Sequence, residues 1–256
     1  MSISQAVFSG IIQGVTEFLP VSSSGHLVLL HHYFGYKQPQ LLFDIFLHVG
    51  TLFAVLVYFK RDIQLLFTKE RRFLSLILIG CVPTAIIGFA FEYFFREAFM
   101  NIKLVSVMLI VTALFLFGAD YITRLREKSK DTNLKPLGVG KALIIGAMQG
   151  LAILPGISRS GTTISTALIC RINKEEAIRY SFLLAIPAIV GALVFELRNF
   201  DSIKTVLIPQ VVAGALSAFL VGLVAIYYLI KAVIKKKLFL FGIYCLITGS
   251  AIFFRA

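Results

Sequence analysis

Two long apolar stretches of this chain, about residues 5–34 and 142–172, are each broken in the middle by a proline, a cluster of hydroxyl residues and a glycine. The breaks read LPVSSSGH in the first stretch and LPGISRSGTT in the second. Neither half of either stretch reaches the roughly 17–25 helical residues needed to cross a hydrocarbon core. Loop backbone cannot face lipid, where each unpaired N–H or C=O costs several kcal/mol, so such breaks survive only inside protein or beside a watery cavity. The expectation is two helix–loop–helix hairpins that enter a bilayer partway and return.

A bilayer is implied by the rest of the chain. Unbroken apolar runs at 41–59, 73–95, 104–122, 180–197, 205–230 and 238–254 predict six transmembrane helices in an all-α polytopic membrane protein. With 58% hydrophobic and 15% charged residues, the composition excludes an ordinary soluble enzyme and a disordered chain. The net charge of +12 is spread over short gaps rather than gathered on one face, so nucleic acid is not expected as a partner. Cys81, Cys170 and Cys245 stand singly in apolar sequence and are expected to be packing residues. The N-terminal stretch lacks a basic start and a small-residue cleavage site, so it is expected to belong to the fold.

If the hairpins add no net crossing, segments 60–72, 123–141, 171–179 and 231–237 share one side and carry 18 of the 25 Lys and Arg. Lys37, Arg96, Lys103, Arg198, Lys204 and Arg255 fall on the other. The positive-inside rule then makes the first side cytoplasmic and puts both termini outside. Membrane lipids are the expected surroundings, with anionic headgroups as secondary contacts. A homo-oligomer is left open.

A shift of 136 residues superposes Gly10, Gln13, Gly14, Ser22, Ser24 and Gly25 on Gly146, Gln149, Gly150, Ser158, Ser160 and Gly161. Six identities in sixteen positions compare with roughly one expected from composition. Repeat one covers about 1–122 and repeat two about 141–256 of a single membrane domain, each with one hairpin and three spans. Three crossings turn the second copy over, which predicts an inverted-topology repeat whose broken segments meet near the midplane. The Gly10/Gly14 and Gly146/Gly150 pairs read as close helix packing.

Ionisable groups at membrane depth are functional candidates. Glu17 and His26 flank the first break, and Arg159 sits in the second. Glu17 and Arg159 could simply neutralise each other, but their neighbours suggest more. Ser22, Ser23, Ser24 and Gly25 in one break, and Ser158, Ser160, Gly161, Thr162 and Thr163 in the other, each lead into a new helix. Such stretches aim backbone N–H groups and a helix dipole at an anion, although a single hydroxyl there is often only an N-cap. A forked guanidinium among those donors suits phosphate oxygens. With Glu17 and His26 for proton transfer, the set suits hydrolysis of a phosphoric anhydride. A carboxylate beside phosphates also suits Mg²⁺ or Ca²⁺. Asp44 and His48, one helical turn apart on the first span, are expected to orient Glu17 or the metal. His31 and His32 are expected to be solvated, and Glu92 and Asp120 to snorkel or cap. No nucleotide-binding P-loop, H-E-x-x-H zinc motif or G-x-S-x-G elbow is present.

QGVTEFLPVSSSGH together with PGISRSGTT resembles the bacitracin-resistance family of undecaprenyl pyrophosphate phosphatases, whose marks are an [E/Q]-x-x-x-E box and a P-G-x-S-R-S-x-x-T box. The boxes run here from Gln13 to Glu17 and from Pro155 to Thr163, and the order of hairpins and spans also agrees. The resemblance implies removal of the terminal phosphate from undecaprenyl pyrophosphate, which returns the lipid carrier to peptidoglycan synthesis and confers bacitracin resistance, with a divalent cation required. It implies that Glu17 binds metal or handles protons, that Ser23 and His26 are the nucleophile or its activator, and that Arg159 holds phosphate. Ser158, Ser160 and Thr163 would line the cradle. Gln13, a neutral amide where the box also allows Glu, would be a weaker metal ligand. It also implies a bacterial cytoplasmic membrane, with the site reached from the outer face. Broken helices in inverted repeats are also transporter architecture, so the alternative is a transporter or flippase of a lipid-linked phosphate, alone or as a dual role.

Overall fold

The computed structural model describes residues 1–129, 133–197, 208–235 and 237–255. Arg198 and Lys204 lie outside the described residues, as do Lys130, Lys236 and the first three residues of the fifth expected span. Twelve helices and no strand occur among the described residues.

The first broken stretch forms α1 (Ile3–Phe18) and α2 (Ser23–Tyr33). α1 opens on a capping box, in which Ser2 Oγ accepts from Gln5 N and the Gln5 side chain accepts from Ser2 N. It closes where Pro20 forces Leu19 into extended backbone. α2 closes on Gly35, whose φ of 81° supplies the left-handed residue that terminates a helix. The second stretch forms α8 (Val139–Leu151) and α9 (Arg159–Ile169). Both hairpin helices restart alike: Ser22 Oγ accepts from Gly25 N at 3.2 Å, and Ser158 Oγ accepts from Gly161 N at 3.1 Å.

Five helices are long and apolar enough to cross a membrane: α3 (Leu41–Tyr58), α5 (Arg71–Ala90), α7 (Ile102–Lys128), α10 (Lys174–Glu196) and α11 (Ile208–Ile234). Their outward faces are apolar. On α11, Val212, Leu216, Leu220 and Val224 stand more than half exposed at helical spacing, while Gly214, Ala218 and Gly222 are buried on the opposite side. Large residues outside and small ones inside reverse the soluble pattern and match helices packed in lipid. The chain is a multi-pass membrane protein.

Two expected spans differ from the structure. The run 73–95 is not one helix: α5 ends at Ala90, and a separate short helix, α6 (Glu92–Ala98), follows. Its segment EYFFREA carries three charges in seven residues, too many to continue a lipid-exposed span. The run 238–254 forms α12 (Leu238–Phe253), an apolar helix of 16 residues. At 1.5 Å per residue it covers about 24 Å, short of a hydrocarbon core of about 30 Å. The gap 60–72 also holds a helix of its own, α4 (Lys60–Thr68).

The helices pair reciprocally between the halves. α1 packs along α11 and α8 along α5, while α7 and α12 pair with each other. Glycine sets the closest approaches. A Cβ on Gly10 would lie 2.2 Å from the Gly214 carbonyl oxygen, and one on Gly146 would lie 1.8 Å from that of Gly80.

Ion pairs mark the two ends of the bundle. Arg179 binds Asp62 and Glu70, both at 2.6 Å, and Lys174 lies 3.3 Å from Glu127. Three of the four basic segments therefore meet at the start of α10. At the other end of α10, Glu196 binds Arg96 at 2.8 Å. The 23 residues between separate the two ends by about 33 Å. Asp120 does not cap or snorkel alone but binds Arg124 at 2.5 Å, and Glu92 binds Arg96 at 3.1 Å.

Candidate active site at the meeting of the two breaks

The two loops interlock. Gly156, at φ 101°, donates its N–H to Ser22 Oγ at 3.1 Å, and Ser160 Oγ donates to the Leu19 carbonyl at 3.4 Å. Thr112 of α7 ties down the second loop, donating to Gly156 O at 2.9 Å and accepting from Ser158 N at 3.0 Å. Ser22 itself sits at φ 69°, a strained conformation for a residue with a side chain. Its hydroxyl oxygen compensates by accepting from both Gly25 and Gly156.

This interlock puts the start of α9 against the end of α1. Glu17, 6% exposed, receives Arg159 Nη2 on Oε1 at 2.5 Å. Its other oxygen, Oε2, accepts from Ser23 Oγ at 2.6 Å and Gln13 Nε2 at 3.1 Å, and lies 3.3 Å from His48 Nε2. His48 Nδ1 is engaged by the Asp44 carbonyl oxygen at 2.8 Å, which requires a proton on Nδ1. A hydrogen bond between Nε2 and Glu17 Oε2 therefore needs one more proton, either on Nε2, which then donates, or on the carboxyl, which then donates to Nε2. Glu17 and Arg159 do neutralise each other, but in a cluster that also aligns a serine hydroxyl with the carboxylate.

The cluster forms the polar wall of a cavity of about 420 Å³. Glu17, Ser23, Ser24, His48, Ser158 and Arg159 line that wall. The opposite walls are apolar, with Ile45, Ala85, Phe89, Ile153 and Ile189 among them. Such a cavity accepts a molecule with an anionic head and a hydrocarbon body.

Other expected site residues are placed differently. His26 does not face the carboxylate: Nδ1 lies 2.7 Å from the Ser22 carbonyl oxygen and Nε2 2.7 Å from the Tyr244 hydroxyl, with the two rings stacked. Ser22 and Ser158 cap their helices. Ser160 reaches Leu19, and Thr163 bonds to the Arg159 carbonyl and to Ser181, at 2.8 and 2.5 Å. Gly25 approaches Gly156 and Gly161 approaches Pro20, so both serve loop packing. Thr162 is buried with an unpartnered hydroxyl. Besides Ser23, two of the other eight hydroxyl and glycine residues of the breaks, Ser24 and Ser158, line the cavity.

His48 touches Glu17, whereas the Asp44 side chain lies beside His31, 3.6 Å away. The expectation of a solvated His31 is corrected: it is 4% exposed, because the chain after α2 folds Tyr36 back over it, while its neighbour His32 is exposed. Thr112, Tyr244 and the Arg96–Glu196 pair that lines the far part of the cavity were not legible as site residues. A threonine and a tyrosine within apolar helices carry no local signal of a partner more than forty residues away.

Among the described residues, no group of three or more His, Cys, Asp or Glu side chains is arranged to hold a metal. A carboxylate and an amide oxygen nonetheless suit a hard cation completed by phosphates: Gln13 meets Glu17 through Nε2, and its Oε1 is buried without a hydrogen-bond partner.

A sequence model of the family described as "Bacitracin resistance protein BacA" matches residues 6–251. The chain belongs to this family. Relatives named undecaprenyl-diphosphatase extend the match at full length. One from Syntrophotalea carbinolica is 44% identical, over 99% of this chain and 98% of its own. Another, from Halothermothrix orenii, is 43% identical over 100% and 99%. A third, from Korarchaeum cryptofilum, is 42% identical over 98% of each. The Glu17–Ser23–Arg159 cluster is thus the candidate active site of a BacA family member.

Proposed function

We propose that this chain hydrolyses undecaprenyl diphosphate to undecaprenyl phosphate and orthophosphate, and so recycles the carrier lipid of peptidoglycan synthesis. The observation that carries the reading is the double engagement of Glu17, by the Ser23 hydroxyl on one oxygen and the Arg159 guanidinium on the other, at one wall of a cavity whose lining is mainly apolar. The names of the full-length relatives point to the same reaction.

The arrangement suits attack by Ser23. Its Oγ forms a bond to the terminal phosphorus while its proton passes to Glu17 Oε2, and the bridging P–O bond breaks to release undecaprenyl phosphate. Glu17 passes that proton to the departing undecaprenyl phosphate; a water molecule then takes the phosphoryl group from Ser23, giving up a proton to the regenerated carboxylate, which returns it to Ser23 Oγ. Water activated directly by Glu17 uses the same contacts. Arg159 balances the negative charge of the phosphates, and the first turns of α2 and α9 add backbone N–H groups. Glu17 and Gln13 would hold the divalent cation, Mg²⁺ or Ca²⁺, which supplies further neutralisation of the diphosphate. In this reading His26 holds the Ser22 carbonyl and, through it, the loop that presents Ser23.

The hydrocarbon tail lies along the apolar walls toward surrounding lipid. The two halves form an inverted repeat, which is supported by the 136-residue match and the reciprocal pairing of α1 with α11 and α8 with α5. The clustered basic segments at the start of α10 face the cytoplasm; with the 16-residue α12 taken as the sixth crossing, both termini lie outside the bacterial cytoplasmic membrane.

The test is phosphate release from a long-chain polyprenyl diphosphate by the detergent-purified protein with Mg²⁺ or Ca²⁺, comparing wild type with Glu17→Gln. Release by the wild type, and retained lipid binding with turnover lost in the variant, supports the reading. Binding without release by folded wild type would favour lipid transport instead.

A further inference from the structure

A second cavity, of about 330 Å³, lies beside the first and is lined by His31, Tyr36, Gln40 and Asp44, with Lys37 exposed at its rim. Asp44 and Phe99 line both cavities, so they form the partition between them. Two polar atoms meet there without hydrogen bonds: Asp44 Oδ1 and His31 Nε2, both buried, on residues 7% and 4% exposed. The imidazole is fixed in place by the edge of Tyr36 at 5.9 Å and by Phe43 at 6.3 Å, and Tyr36 is anchored by its hydroxyl bond to Gln5 Oε1 at 3.0 Å.

Buried polar groups left without partners call for an explanation, such as an ion or a water. The separation of Asp44 Oδ1 and His31 Nε2 is 3.6 Å, too long for a direct hydrogen bond. A water about 2.8 Å from each would have to bond at an angle near 80°, well below the tetrahedral value. A metal ion about 2.1 Å from each would subtend about 118°, an ordinary ligand angle. We propose that Asp44 and His31 hold a divalent cation at the partition between the cavities, at a site separate from Glu17. One carboxylate oxygen and one imidazole nitrogen suit Mn²⁺ or Zn²⁺ better than Ca²⁺. With two protein ligands, the other coordination positions face the cavities and are open to water or to a phosphate oxygen.

Binding is read without turnover, so its failure and that of the phosphatase assignment are distinguishable. The full chain, with any affinity tag removed, is titrated with Mn²⁺ and the free ion followed by electron paramagnetic resonance. The wild type is expected to bind Mn²⁺, of which about one equivalent survives Glu17→Gln and weakens at least tenfold in Asp44→Asn and in His31→Gln. In the wild type, pulsed resonance should show an imidazole nitrogen coupled to the bound Mn²⁺, and this coupling should persist in His48→Gln. No bound Mn²⁺ in the wild type, binding lost in Glu17→Gln, or a nitrogen signal that depends on His48 would overturn the proposal. Should either partition variant fail to fold, the wild-type coupling and the His48→Gln comparison decide.

Discussion

Arg159 and Glu17 meet at 2.5 Å although 142 positions separate them in the chain. Each lies at the end of a helix that stops or starts inside the bundle, and each is held by the loop of its own half.

Removing one member of that pair strands the other. Arg159→Ala leaves a buried carboxylate without its guanidinium, and loss of one partner of a buried pair costs about 3–5 kcal/mol. The expected outcome is a lower thermal midpoint in detergent together with at least a hundredfold loss of phosphate release. The double variant Glu17→Gln/Arg159→Ala should regain much of the stability and none of the turnover. A double variant no more stable than Arg159→Ala would show that the pair is not what holds the two loops together.

His26 separates positioning from proton transfer. With Nδ1 on the Ser22 carbonyl and Nε2 on Tyr244, His26→Ala releases the strained turn before Ser23. Turnover should fall about a hundredfold, in the range of misplacements by about 1 Å. His26→Gln can still donate an amide hydrogen to Ser22 O and should recover part of that loss. A glutamine variant as inactive as the alanine variant would assign His26 to acid–base chemistry.

Cys81 reports on the apolar part of the cavity. Cys81 is half-buried on its wall, Cys245 is buried, and neither forms a disulfide. In a Cys170→Ser background, a long-chain polyprenyl diphosphate should slow alkylation of Cys81 by an apolar maleimide. The same lipid should leave the rate unchanged if the tail lies elsewhere.

The glycine contacts between the halves admit no side chain. Gly146→Ala puts a carbon 1.8 Å from the Gly80 carbonyl oxygen and should cost about 3 kcal/mol, at the upper end of overpacking effects. Gly118, in mid-α7, has open space where a Cβ would stand. Gly118→Ala should be neutral or stabilising by up to about 1 kcal/mol. Paired unfolding curves in detergent check both.

The breaks and the spans were legible because Pro20 and Pro155 stop helices by a local rule and long apolar runs have few alternatives. Glu17, Ser23 and Arg159 could be picked out because charge and clustered hydroxyls are conspicuous in apolar sequence. Their mutual geometry was not, since the bonds of Glu17 to Arg159 and His48 depend on how distant helices pack. The burial of His31 was missed for a related reason: it depends on Gly35 turning the chain so that Tyr36 covers the imidazole. The start of α6 was hidden inside the apolar run 73–95 because Tyr93, Phe94 and Phe95 outweighed Glu92, while Arg96 and Glu97 fall just beyond it.

The interlocked loops also impose an order on biogenesis. At about 5–20 residues per second of synthesis, the 142 residues between Glu17 and Arg159 take about 7–28 s to make. Through that interval the newborn first half carries an acidic side chain in its apolar interior with no arginine to meet it. His48, made only 31 residues after Glu17 and 3.3 Å from it in the finished protein, is the basic group available to chaperone that acid. The same histidine would then serve the nascent chain before it serves the enzyme, and its loss should show first as poor yield of inserted protein.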